Sequence, residues 1–182
     1  MKSPKIEIYK NAGKNYILFG ISDRIEFPNK TLAKSYVYDL KKLIRDIMYL
    51  LSSIQSSTYL SYSSNYFHID NSLNRKIQSS LNNFETQRDL IYSNYSSGND
   101  SFIFSSINGC FKALEYSLLL LKEYAQKNKQ FALKNEIYSL LRHLSIINKT
   151  YDSDKIKLNI DFSIRNKKIK VINLINSEKN AI

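Results

Sequence analysis

The chain is poor in the residues on which common chemistries depend. Of its 182 residues, one is cysteine, two are proline, two are histidine, four are glycine and none is tryptophan. A lone Cys110 cannot close an intramolecular disulfide, so nothing marks an oxidising compartment. Four scattered glycines exclude the G-x-x-x-x-G-K-S/T and G-x-G-x-x-G loops that wrap phosphates. His68 and His143 stand 75 positions apart, and neither belongs to an H-E-x-x-H or paired-ligand motif. No zinc site is expected, nor any other metal or cofactor. Long apolar runs are missing too. The longest leucine run, Leu118 to Leu121, is four residues, against the roughly 20 apolar residues that a membrane span needs. Met1 to Tyr16 holds no apolar block of signal-peptide length. The expectation is a soluble, cytoplasmic protein with no membrane partner.

What is present is a foldable chain. The hydrophobic fraction is 43% and the charged fraction 24%, ordinary values for a globular protein. The length suits one domain spanning 1–182. Tyrosine (14) and phenylalanine (9) are abundant, alongside Ser, Asn, Lys and Ile. That bias also follows from an AT-rich genome, so the location of charge informs more than its amount.

Hydropathy patterns divide the chain into β, helical and β regions. Ile6 to Tyr9 alternates, Tyr16 to Ile21 is rich in β-formers, and a loop with Gly13 separates them as in a hairpin. Arg24 to Phe27 reads as a third strand, stopped by Pro28. Residues 29–150 read as four helices. Asn29 or Thr31 caps the first, whose stripe is Tyr36, Val37, Leu40, Leu43, Ile44, Ile47, Leu51 and Ile54. Serine competes for backbone hydrogen bonds, so the later part of Ser52 to Ile69 reads as a loop. Asp70 caps a second helix marked by Leu73, Ile77, Leu81, Phe84 and Ile91. A third runs through Ile107, Phe111, Leu114, Leu118 and Leu121, with Gly109 as an interruption and a strand-like start at Phe102 to Phe104 as the alternative. Lys127 to Lys129 is a break before a fourth helix, built on Ile137, Leu140, Leu141, Leu144 and Ile147.

The last region alternates strictly. Ile156, Leu158, Ile160, Phe162 and Ile164 interleave with Lys157, Asn159, Asp161 and Ser163. Period two predicts a half-buried strand. Asp152-Ser153-Asp154 is the turn before it, Arg165 to Lys168 turns it back, and residues 155–175 form a hairpin. Residues 176–182 read as a frayed tail. The expected fold class is therefore α+β: strands over 1–28, a helical layer, and a C-terminal β-hairpin. Two small sheets would satisfy this order. One antiparallel sheet packed on the helices is more economical, because each apolar sheet face needs cover.

The net charge of +11 is unevenly spread: residues 1–45 carry +6, residues 46–154 are neutral and residues 155–182 carry +5. In a shared sheet the excess falls on one side. Lys5, Lys157 and Lys170 would occupy its solvent face, with Lys10, Lys14, Arg165, Lys167 and Lys168 at its turns. Such a surface attracts polyanions, nucleic acid above all. Edge lysines that prevent sheet-to-sheet aggregation give the same pattern. No helix-turn-helix, zinc-finger or RRM string accompanies it. Tyr59, Tyr62 and Tyr66, in the Ser/Tyr segment, are the other candidate contacts. Tyrosine offers a large amphipathic surface that stacks on bases or docks on proteins, or it covers the helical layer.

Catalytic groupings are thin. Cys110 sits between Ile107 and Leu114, as a packed small hydrophobe would. The one D-x-K string, Asp39-Leu40-Lys41, falls inside a helix, and Asp152 and Asp154 fall in a turn. The expected function is non-enzymatic: a basic protein that docks on nucleic acid or on a nucleic-acid-handling enzyme and occludes it. In size and composition the chain resembles small accessory proteins of phages and other mobile elements, inhibitors of CRISPR nucleases among them. A self-associating helical module, forming homo-oligomers, is one alternative. A metal-dependent nuclease using Asp152, Asp154 or Asp161 is another.

Overall fold

The computed structural model describes the backbone of residues 8–11, 14–19, 23–27, 30–97 and 100–179, and the side chains of residues 30–93 and 102–158. Strands β1 (Ile8–Asn11), β2 (Lys14–Phe19) and β3 (Asp23–Phe27) form a small antiparallel meander with Tyr9 opposite Tyr16 and Ile17 opposite Ile25. Four helices follow: α1 (Lys30–Asn65), α2 (Asn71–Ser97), α3 (Asp100–Lys127) and α4 (Phe131–Lys179). Beyond residue 30 no strand occurs among the described residues. From residue 30 to residue 179 the described chain is all-α and resembles a four-helix bundle. α2 packs chiefly on α3, and α4 packs on both α1 and α3.

The helices form where apolar side chains recur every three or four residues. On α1 the stripe from Tyr36 to Ile54 is buried, with Leu43 at its half-buried margin. Ile77, Leu81, Phe84 and Ile91 of α2 meet Ile103, Ile107, Leu114 and Leu118 of α3 in the core. Each fully buried side chain of this size contributes about 2 kcal/mol. Asp70 caps α2, its Oδ1 accepting the amides of Ser72 at 3.0 Å and Leu73 at 2.9 Å. α3 ends at Lys127, and Lys129 turns the chain with φ of 54°. Gly109 sits inside α3 without interrupting it. A Cβ there would come within 2.8 Å of the Gln87 side chain, so glycine lets α2 and α3 approach closely.

Four expectations are corrected. The α+β class, with one sheet packed on a helical layer, is overturned because residues 155–175 belong to α4 and not to a hairpin. The physical reason lies in the arithmetic of the pattern. Every second step of a period-two alternation is a step of four, so Ile156, Ile160 and Ile164 also satisfy helical spacing, as do Leu158 and Phe162. No glycine or proline interrupts residues 131–182, so nothing stops a helix already running. For the same reason Asp152 to Asp154 and Arg165 to Lys168 are helical rather than turns. Ser52 to Asn65 is also helix, not loop. Its hydroxyls are satisfied by carbonyls one turn back: Ser56 donates to the Ser52 carbonyl at 3.0 Å, Thr58 to Ile54 at 2.8 Å and Ser64 to Leu60 at 2.9 Å. Finally, Phe102 to Phe104 opens α3 rather than a strand.

Candidate functional site

Tyr59 and Tyr62 lie on the last turns of α1 and Tyr66 opens the 3-10 turn that follows it, so steps of three and four set the three on one side. They form a continuous edge-to-face series. Ring centroids lie 6.4 Å apart for Tyr59–Tyr62 and 5.8 Å for Tyr62–Tyr66. Phe67, in the single 3-10 turn after α1, extends it at 5.4 Å from Tyr66. These separations are the favoured ones for aromatic pairs.

The series lines a groove of about 540 Å³ between α1 and α2. Phe67 is 93% exposed and Tyr59 53%, whereas Tyr62 is 5% exposed. The buried Tyr62 hydroxyl has no hydrogen-bond partner. Burial, reinforced by the neighbouring Tyr66 and Tyr59, pushes its pKa up. The opposite wall, on α2, sets Gln78, Asn82 and Glu85 around Leu81, and Gln55 lines the groove from the α1 side. Glu85 lies 3.8 Å from Arg88. A separate groove, on the α3 side of α2, is lined by Arg75, Lys76, Ser79 and Asn83, with Tyr116 of α3.

A third groove, of about 400 Å³, runs between α1 and α4. Asp39, Lys42, Asp154 and Lys157 line it over Leu43, Ile47 and Leu158, and no ion pair forms among those four charges. Tyr151 also lines it, 2% exposed, its hydroxyl without a partner and its ring packed on Phe111 at 5.9 Å and Phe104 at 6.5 Å. Among the described residues no three His, Cys, Asp or Glu side chains gather to hold a metal ion. Asp154 is brought near Asp39, but Asp152 does not line this groove, and the Asp161 side chain lies outside the described residues.

The lysines expected to share a sheet are not brought together that way. Lys157 is exposed on α4. Arg165, Lys167, Lys168 and Lys170 belong to the same helix by backbone, and their side chains lie outside the described residues. Lys10 stands on β1 and Lys14 on β2, with side chains likewise outside, and Lys5 lies outside altogether. His68 is exposed beside Phe67, and His143 is exposed on α4. Cys110 is buried in the core near the Phe84 carbonyl.

The tyrosine spacing is readable in the sequence. Phe67 and the α2 wall are not, because which helix faces the tyrosines is a tertiary fact. Among the described residues, no helix is long and apolar enough to cross a membrane. No protein-family model, no curated protein and no solved structure matches this chain.

Proposed function

We propose that this is a non-enzymatic binding protein that takes single-stranded nucleic acid into the groove between α1 and α2. The observation that carries the reading is the series of rings from Tyr59 to Phe67, exposed at Tyr59, Tyr66 and Phe67, in one groove with the amides of Gln78 and Asn82 across it. Rings of this kind stack on bases at about 1–3 kcal/mol per base, and side-chain amides hydrogen-bond base edges. Arg75 and Lys76, on the α3 side of α2, offer charge to the phosphates of a strand that runs on past the rings. The net charge of +11 favours encounter with a polyanion. A lysine face assembled from both chain ends in one sheet plays no part, since residues 155–179 are helical.

The test is fluorescence anisotropy with short labelled DNA and RNA over a salt series. Binding should weaken steeply with salt. Tyr59→Ala and Phe67→Ala should each weaken it by about tenfold, the equivalent of one lost stack. Both side chains are exposed, so the fold survives their loss. No binding at low salt, or binding indifferent to both substitutions, would sink the proposal and point to a protein partner.

A further inference from the structure

We infer that the groove discriminates among bases, preferring adenine and cytosine, with their 6-amino and 4-amino groups, over thymine and uracil, which carry a carbonyl oxygen at the equivalent place, and that Glu85 is the discriminating residue. This rests on the proposal that the groove holds single-stranded nucleic acid.

The argument is one of donors and acceptors. Adenine and cytosine present an amino group where thymine and uracil present a carbonyl oxygen. Glu85 stands in the same groove as the rings, on the α2 wall two turns beyond Gln78 and one beyond Asn82. An ionised carboxylate only accepts hydrogen bonds. It welcomes the amine and repels the carbonyl. Gln78 and Asn82 each offer a donor and an acceptor and so tolerate either kind of edge. Discrimination thus falls to the one group in the wall that cannot switch roles. Arg88 lies 3.8 Å from Glu85 and 3.7 Å from Asp89, outside the groove lining.

Anisotropy titrations with labelled oligo(dA), oligo(dC) and oligo(dT) of equal length test this. The wild type should bind oligo(dA) and oligo(dC) about tenfold more tightly than oligo(dT), the discrimination of one good polar contact. Glu85→Gln gains a donor and should raise oligo(dT) affinity until the three ligands are nearly equal. Glu85→Ala, which lacks both functions, should narrow the gap from the other side by weakening oligo(dA) and oligo(dC). Equal affinities in the wild type, or a preference that survives both substitutions, would overturn the inference while leaving the groove a base-binding site. Binding of all three that ignores Tyr59→Ala and Phe67→Ala would overturn the site itself. Absence of binding to any of them would overturn both.

Discussion

Ser61 Oγ donates a 2.6 Å hydrogen bond to the Glu136 carboxylate, 75 residues further along the chain, and so fastens the end of α1 to the beginning of α4. The contact is partly buried and charge-assisted, which places it among the stronger side-chain bonds. Ser61→Ala should cost about 1–2 kcal/mol in urea unfolding. Ser64→Ala removes an exposed hydroxyl that only bonds its own helix, and should stay within about 0.5 kcal/mol of wild type. Equal effects from the two would mean that the link to α4 contributes nothing.

Stability should fall at alkaline pH. Burial pushes the Cys110 thiol up to about 12, against a smaller opposing pull from Arg88. Burial also raises Tyr151, helped by the charge of Asp152. The folded state keeps these protons where the unfolded chain releases them. The stability so gained is whole below pH about 9 and disappears as pH climbs towards 12. Urea midpoints from pH 8 to 11 should decline steadily. Cys110 should also resist thiol reagents at pH 8 until denaturant is added, because the thiolate is the reactive form. Rapid labelling of the native protein would contradict its burial.

Tyr151 separates the value of a ring from the cost of its hydroxyl. The ring packs against Phe104 and Phe111, while the buried hydroxyl meets no partner. Tyr151→Phe should therefore stabilise the protein by about 1 kcal/mol. Tyr151→Ala should destabilise it by about 3–5 kcal/mol through the cavity left behind. Thermal melts of the two variants decide the matter, and a Tyr151→Phe variant that melts lower than wild type would show the hydroxyl to be satisfied.

Asp154 marks the largest difference between pattern and structure. As a turn residue it would accept proline easily. Inside α4 it cannot, since proline removes a helical hydrogen bond and collides with the preceding turn. Asp154→Pro should cost about 3 kcal/mol and lower helical circular dichroism. Unchanged stability and helicity would restore the turn.

The sequence made some of this structure legible and concealed the rest for definable reasons. Tyr36 to Ile54, Ile77 to Ile91 and Ile137 to Leu144 announce their helices because a step of three and four admits no strand. Ile156 to Ile164 misleads because a step of two contains the step of four. Ser52 to Asn65 misleads because propensity counts serine as a competitor, whereas here its hydroxyl closes onto the preceding turn. Within the groove, Tyr59, Tyr62 and Tyr66 stand out by type and spacing. Gln78, Asn82 and Glu85 are ordinary surface residues until α2 is laid beside them.

The packing order also has a kinetic consequence. α2 meets α3 and α3 meets α4 across links of two or three residues, so those seams need little loop closure and form early. α1 finds its main partner in α4, at the other end of the helical chain. That seam should close last and open first, and the Ser61–Glu136 bond and the groove lined by Asp39 and Lys157 both lie along it. Slow hydrogen exchange should accordingly concentrate in α2 and α3, with α1 the first helix to let go.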